Sequence, residues 1–371
     1  FRIGIVGSGL LAVQGTSFAF IGTMAYAASQ LPPTTSQEEL LGVLLGTAAV
    51  GGGMIVFLSF FLDTVRRVIT PTVTGVTICL LGLSLLWSAL GNSWRLLSMA
   101  SDDELLPLTF EWLFTLGIIT LLATRNNPYA RLVCVPTGLF AGLILAAILR
   151  GWSMPTPNLD EELFLLQIMP VSLKFSPVAL LVLLPIFLVS LTETIGDITA
   201  TSLVSKQPIK GKEYFVRLRG GVLGDGFNTI LASLLGAFPN TTFSQNNAVI
   251  RLTGIASRQV GYLLALFLIV LGSIPAVSSL VVNIPGSVLN STTAFLFAMI
   301  AYTGLEIVRA HAKQKGLRVL IVSICGAFGL IFLPQLLLSL GIETPAFASI
   351  LMGFPVATGA LIAIVADKLI H

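Results

Sequence analysis

The chain has 371 residues, of which 55% are hydrophobic and only 10% are charged, and its mean hydropathy is +0.95. Soluble domains carry roughly 25% charged residues, so this composition excludes a water-soluble globular fold. The net charge of +3 comes from short segments between apolar runs and gives no support for nucleic-acid binding. Because the apolar runs are long and continuous rather than short and alternating, the sequence predicts an all-α integral membrane protein.

A membrane-spanning helix needs about 20 mostly apolar residues. Windows of that length predict full or partial spans at 9–29, 41–62, 72–91, 107–124, 130–150, 176–199, 220–237, 243–255, 259–281, 287–308, 318–340 and 344–367. Short cytoplasmic loops retain Lys and Arg, and the basic segments 206–219 and 309–318 fall on one side of this topology. Acidic runs at 102–104 and 160–162 fall on the other side. The pattern predicts a multi-pass protein with a cytoplasmic C-terminus and a lipid bilayer as its surroundings.

Two short polar stretches interrupt the apolar segments, "QGTSF" at 14–18 and "PNTTF" at 239–243. Proline and small polar residues disfavour a continuous helix, and a further helical segment follows each stretch. Paired interruptions are typical of an inverted-repeat transporter whose site lies between two half-helices at the membrane midplane. The alternative is that these polar residues only bond helices to one another. The site is favoured because the polar residues at 240–247 are nearly consecutive.

Acidic residues also occur inside predicted spans. Glu193 and Asp197 are four residues apart, so both carboxylates project from one helix face, and Gly196 between them is expected to allow close approach of another backbone. Because a charge at membrane depth is costly, at least one of the two is expected to hold a proton near neutral pH, which suits proton coupling. Asp225 is either a structural partner or a coupling residue. Glu111 is expected to be interfacial, near a span end.

Three separated segments, "QGTSFAF" from 14, "ETIGD" from 193 and "QNNAVIRLTG" from 245, together resemble the nucleobase-ascorbate transporter family and, within it, bacterial xanthine and uric acid permeases. The family signature falls on Gln245, Asn246, Ala248, Thr253 and Gly254. Ala248 stands where the signature has glycine, so helix packing or substrate range is expected to differ at that position.

The resemblance implies a fold of two inverted repeats of seven spans, with a core domain that moves against a gate domain. About twelve spans are expected here, and an N-terminal piece with two further spans is expected to precede Phe1. The implied domains are a core of 1–70 and 176–282 and a gate of 71–150 and 285–371.

The resemblance also implies roles for individual residues. The implied substrate-binding residues are Ser17, Phe18, Glu193, Phe243, Gln245 and Asn246. The implied proton-coupling residues are Glu193, Asp197 and Asp225. The resulting expectation is a proton-coupled symporter that imports an oxopurine by alternating access across a bacterial inner membrane. The resemblance also suggests a homodimer.

Two alternatives remain, a uracil or other pyrimidine symporter and an anion exchanger or channel of the same general fold. An enzyme is not expected, because the sequence has no Ser, His and Asp set and no metal-ligand cluster. The three cysteines have no ligand spacing, so neither a metal nor a cofactor is expected.

Overall fold

The computed structural model describes residues 3–32, 35–62, 70–153, 171–243, 245–339 and 355–370. These residues form helices and two short strands. In chain order the elements are β1 (Gln14–Thr16), α1 (Phe18–Ser29), α2 (Gln37–Leu58) with a 3-10 turn (Ser59–Phe61), α3 (Pro71–Ser98), α4 (Asp102–Ala123), α5 (Pro128–Leu132), α6 (Cys134–Arg150), α7 (Pro177–Val204), α8 (Gly211–Leu234), β2 (Asn240–Thr242), α9 (Gln245–Thr253), α10 (Arg258–Gly272), α11 (Pro275–Val282), α12 (Gly286–Ser339) and α13 (Pro355–Leu369).

The chain divides into two compact units. Unit 1 comprises Phe1–Leu81, Gln167–Gly261 and Tyr302–His371, and unit 2 comprises Gly82–Leu166 and Tyr262–Ala301. Both strands and both helices that follow them belong to unit 1. The core and gate boundaries expected from the sequence remain a prediction.

Five helices within the described ranges are long and apolar enough to cross a membrane. They are Gln37–Phe61, Pro71–Ser98, Asp102–Ala123, Pro177–Val204 and Gly286–Ala310. The shorter helices α6 and α10 are also apolar. The predicted all-α, multi-pass membrane fold is therefore confirmed. The acidic run at 160–162 and the first part of the predicted span at 344–367 lie outside the described residues.

One predicted span and one predicted loop differ from the structure. The span at 259–281 is two helices, α10 and α11, because Pro275 cannot continue the hydrogen-bond ladder of α10. The basic segment 309–318, expected as a loop, is helical and lies within α12. That segment is rich in Ala, Lys, Gln and Arg and contains no proline, so its intrinsic preference is helical. A single helix consequently includes both spans that the sequence predicts at 287–308 and 318–340.

In unit 1, helices α2 and α8 pack backbone against backbone through glycines. A Cβ atom on Gly52 would lie 2.9 Å from the Gly226 carbonyl oxygen, and one on Gly226 would lie 2.8 Å from the Gly52 carbonyl oxygen. Small residues at such crossings let membrane helices approach closely. The expectation that Gly196 makes this kind of contact is wrong, because no atom of the described residues lies within 4 Å of its Cβ position and the residue is exposed.

An aromatic contact joins α1 to α7 in the core of unit 1. The rings of Phe20 and Phe187 are 4.8 Å apart between centroids and are tilted by 57°, and both side chains are buried. Gly51 of α2 leaves room for the Phe187 ring, since any Cβ there would collide with it. These contacts fix α1 and α7 side by side and so position the residues that follow β1.

Unit 2 contains a buried ion pair between α4 and α6. Glu111 is fully buried and accepts two hydrogen bonds from Arg150, from Nε at 2.7 Å and from Nη2 at 2.9 Å. The Ser287 hydroxyl at the start of α12 donates to the second carboxylate oxygen at 2.5 Å. Glu111, which the sequence placed near a span end, is therefore buried inside the protein, where three donors compensate its burial, and its interfacial depth stays a prediction.

Candidate functional site

The two polar interruptions predicted from the sequence meet in space. Strands β1 and β2 pair antiparallel, with Gln14 opposite Thr242, Gly15 opposite Thr241 and Thr16 opposite Asn240. The pairing continues at its ends, where the Phe243 N–H donates to the Val13 carbonyl at 2.9 Å and the Ser17 N–H donates to the Pro239 carbonyl at 3.1 Å. Non-helical backbone inside a membrane protein persists only where its polar groups are satisfied, and each strand here satisfies the other.

Helices α1 and α9 begin directly after these strands, at Phe18 and Gln245. They are short, with 12 and 9 residues, as half-helices are. The N–H groups of a first helical turn lack partners within the helix and carry the positive end of its dipole. The two helix starts are thus brought together by the strand pair that precedes them.

One glycine makes the strand pair possible beside an aromatic ring. A Cβ atom on Gly15 would lie 2.8 Å from two ring carbons of Phe243, well inside ordinary van der Waals separation. The predicted binding residue Phe243 therefore lies against the backbone of β1. Any larger residue at position 15 would displace that ring.

Helix α7 presents a row of polar side chains along one face. Spacings of four, three and four residues place them on successive turns of the same side, and the row consists of Ser190, Thr194, Asp197 and Thr201. All four are buried. A polar row inside an apolar helix requires partners on neighbouring elements, since unpaired buried polar groups are costly.

Three members of this row bond to β2 and α9. The Ser190 hydroxyl donates to the Thr241 hydroxyl at 3.2 Å. The Thr242 hydroxyl donates to Oδ2 of Asp197 at 2.8 Å. The Thr201 hydroxyl lies 2.7 Å from Oδ1 of Asn247. The coupling residue predicted at Asp197 is therefore held by the second polar interruption.

The fourth member, Thr194, bonds to Asp225 of α8. Asp225 is fully buried and accepts from the Thr194 hydroxyl at 2.9 Å and from Nε2 of Gln14 at 3.1 Å. The Gln14 amide oxygen in turn accepts from Nδ2 of Asn228 at 3.0 Å. This Asp225 cluster, made of Asp225, Thr194, Gln14 and Asn228, joins α7, α8 and the first polar interruption.

Glu193 lies at the edge of the polar row and is only partly buried. Of the residues that the structure describes, none donates a hydrogen bond to its carboxylate. An acceptor-only side chain that is left open in this way is suited to a ligand that carries N–H groups. Its neighbour Asp197, by contrast, already accepts from Thr242.

The signature segment divides into two parts. Asn246 donates from Nδ2 to the Leu11 carbonyl at 2.7 Å, which ties α9 to the residues before β1. Thr253 bonds to the carbonyl one turn earlier in α9, and Gly254 ends that helix with a φ of +69°, a conformation that glycine adopts without strain. The last two signature residues therefore shape the helix end.

Several predicted residues cannot be placed by their contacts. The side chains of Phe18, Gln245 and Ala248 lie outside the described part of the structure. Ser17 is buried, with 4% of its surface exposed. The roles assigned to the site residues on the basis of the sequence stay predictions.

The sequence analysis assigned no individual role to five residues that hydrogen-bond to Asp197 or Asp225 or to the side chains beside them. Each is a polar side chain inside an apolar segment, and they are Gln14, Thr194, Asn228, Thr242 and Asn247. The available signal was the spacing of polar residues in α7 and the first position of "QGTSF". Within the described ranges, no group of three His, Cys, Asp or Glu side chains could hold a metal ion.

A helical membrane protein with paired strands, two half-helices and buried acids between them has the architecture of a secondary transporter. A family model described as "Permease family" matches residues 1–336. The chain is 35% identical to the xanthine permease XanQ of Escherichia coli, over 98% of this chain and 78% of that protein. It is 30% identical to the uric acid-xanthine permease of Emericella nidulans, over 89% of this chain and 62% of that protein.

Among solved structures, the transmembrane domain of the cyanobacterial bicarbonate transporter BicA aligns over 97% of this chain and 84% of its own, with a TM-score of 0.50 and 14% identity. That likeness concerns the fold alone. The family match and the sequence relatives carry the assignment: the chain belongs to this permease family, the nucleobase-ascorbate transporters. It is a permease and not an enzyme.

Proposed function

We propose that the chain is a proton-coupled symporter that imports an oxopurine such as xanthine or uric acid. The observation that carries the proposal is the meeting of both polar interruptions beside Glu193 and Asp197. The names of the relatives, xanthine permease and uric acid-xanthine permease, supply the substrate class. No bond is made or broken in this activity.

Recognition follows from the chemistry of the substrate. An oxopurine alternates N–H donors with carbonyl acceptors around a flat ring, so it needs acceptors and donors fixed in one plane and an aromatic face. Glu193 accepts from ring N–H groups. The carbonyl edge is assigned to the Gln245 amide and the start of α9, which Asn246 supports through its bond to the Leu11 carbonyl. The opposite wall is assigned to Ser17, Phe18 and Phe243.

Coupling is assigned to the buried acids. An outward-facing state with a protonated Asp197 binds the oxopurine, and movement of a core domain against a gate domain exposes the site to the cytoplasm. Substrate and proton then leave together, with Asp225 supporting the network. The basic segment 206–219 favours a cytoplasmic position for the loop between α7 and α8, and a bacterial inner membrane with the C-terminus inside is part of the proposal. A homodimer is part of the proposal.

The test is uptake of radiolabelled xanthine into cells that express the protein, with and without a protonophore. Unlabelled urate, hypoxanthine and uracil serve as competitors, and cells with the empty vector serve as the control. Uptake that collapses with the proton gradient and is blocked only by oxopurines agrees with the proposal. Dominant competition by uracil would indicate a pyrimidine symporter, and flux that persists without the gradient would contradict proton coupling and favour an exchanger or channel.

A further inference from the structure

We propose that Gln14 and Thr194 are positioning residues for proton coupling, and that the cross-strand pair Gln14–Thr242 links the carboxylates of Asp225 and Asp197. The inference rests on the proposed proton-coupled transport and assigns its internal machinery. It starts from the register of the strand pair, in which Gln14 lies opposite Thr242.

Each member of this cross-strand pair holds one acid. Gln14 donates to Oδ1 of Asp225 at 3.1 Å, and Thr242 donates to Oδ2 of Asp197 at 2.8 Å. The acids lie on different helices, α8 and α7, and β1 and β2 bridge them. A change in the hydrogen bonding of either acid therefore acts on the strands from which both half-helices start.

The two carboxylate oxygens of Asp225 differ in whether their surroundings allow them to bind a proton. Oδ1 faces the Gln14 amide nitrogen, and the Gln14 amide oxygen already accepts from Asn228 at 3.0 Å. A proton on Oδ1 would meet a donor, and relieving that clash would require both part-buried amides to turn over. The Gln14 and Asn228 amides thus keep Oδ1 as a permanent acceptor.

Oδ2 faces a hydroxyl, which can donate or accept. Thr194 donates to the ionised carboxylate at 2.9 Å. When Oδ2 gains a proton, the Thr194 hydrogen can rotate to the carbonyl one helical turn earlier, as threonines inside helices commonly do, and the hydroxyl then accepts from the acid. Only one hydrogen changes direction, so a proton that reaches Asp225 binds at Oδ2.

Few charged side chains of the described residues lie on the elements that pack around Asp225. Helix α7 contributes Glu193 and Asp197, whereas β1 and β2 carry no titratable side chain. Helix α2, which packs on α8, has Glu38 and Glu39 at its start, far along the helix from Gly52, its contact with Gly226. Cations on α8 itself, Lys212, Arg217 and Arg219, precede Asp225 by more than one turn.

The test separates coupling from binding with Thr194→Val and Thr194→Ser in proteoliposomes. Valine keeps the shape and removes the hydroxyl, and serine keeps the hydroxyl. Two transport modes are compared, accumulation driven by an imposed proton gradient and counterflow of xanthine without a gradient. Counterflow requires binding and movement of the loaded carrier but no net proton release.

Thr194→Val is expected to lower gradient-driven accumulation by at least about 10-fold, the usual scale for a lost hydrogen bond to a charged group. Its rate of counterflow should stay within about 3-fold of wild type. That change is small compared with the effect of about 10-fold expected for the loss of one hydrogen bond to a charged group. Thr194→Ser should match wild type in both modes.

Gln14→Leu should behave like Thr194→Val and also alter the pH profile of accumulation. Thr77→Val, which removes a buried hydroxyl that bonds to the Val73 carbonyl within α3, is the matched control and should leave both modes unchanged.

Two results would overturn the inference. One is a loss of counterflow and accumulation in equal proportion in Thr194→Val, which would mean a packing role. The other is unchanged gradient-driven accumulation in both Thr194→Val and Gln14→Leu. Failure of the proposed function looks different, because the wild-type protein itself would then show no gradient-driven accumulation of xanthine.

Discussion

The buried ion pair of unit 2 gives a stability prediction that does not depend on the transport proposal. Glu111→Gln keeps the shape of the side chain and removes its charge. The structure assigns three donors to this carboxylate, two from Arg150 and one from Ser287, and its side chain is 0% exposed whereas that of Arg150 is 27% exposed. The substitution therefore leaves a guanidinium with a neutral partner in a mostly apolar setting.

Removing one partner of a buried ion pair costs about 3–5 kcal/mol. Because Arg150 retains some access to its surroundings, we expect about 3 kcal/mol. Domains of 150–250 residues shift by roughly 2–4 °C per kcal/mol, and a longer chain shifts less, so the apparent melting temperature should fall by about 3–6 °C. The assay is thermal unfolding of the purified protein in detergent, compared at one heating rate.

Glu104→Gln is the matched control, since Glu104 is exposed in the first turn of the same helix and accepts from Ser101 at 3.2 Å. It should shift the melting temperature by less than about 1 °C, as exposed polar contacts contribute little. A double variant, Glu111→Met with Arg150→Met, should recover most of the loss, because apolar replacement of both partners removes the unpaired charge. Equal small shifts for Glu111→Gln and Glu104→Gln would refute the reasoning.

Three further predictions concern unit 1. Gly15→Ala should cost about 1–3 kcal/mol, the usual range for overpacking, and should raise the KM for xanthine, because the new Cβ displaces Phe243; equal KM values would contradict that contact. Thr242→Val should reduce gradient-driven uptake more than Thr242→Ser, because only serine can still donate to Asp197; identical uptake would exclude the bond from coupling. Glu193→Ala should abolish measurable binding of xanthine in equilibrium dialysis, and unaltered binding would remove Glu193 from the site.

The sequence predicted the features that depend on local chemistry. Proline and small polar residues at "PNTTF" cannot continue a helix, and the structure has β2 there with a short helix after it. Helix geometry alone likewise predicts that Glu193 and Asp197, which are four residues apart, project from one face of the helix. These predictions needed no knowledge of what packs against each segment.

The remaining features depend on residues distant in sequence. The strand register places Gln14 opposite Thr242, 228 positions further along the chain. No local sequence pattern specifies that pairing. The burial of Glu111 was not predicted for the same reason, since its partner Ser287 is 176 positions away. The segment 309–318 shows the opposite error, because here the local signal was misinterpreted. Its polar composition was taken to indicate a loop, although its residues favour a helix.

The most direct test of proton-coupled oxopurine import is the lumenal pH of proteoliposomes when xanthine is added outside without an imposed gradient. A trapped pH-sensitive dye reports proton entry, and the Asp197→Asn variant is the comparison. We predict lumenal acidification with xanthine, little with uracil, and none in the variant. Xanthine entry without acidification in the wild-type protein would contradict the account.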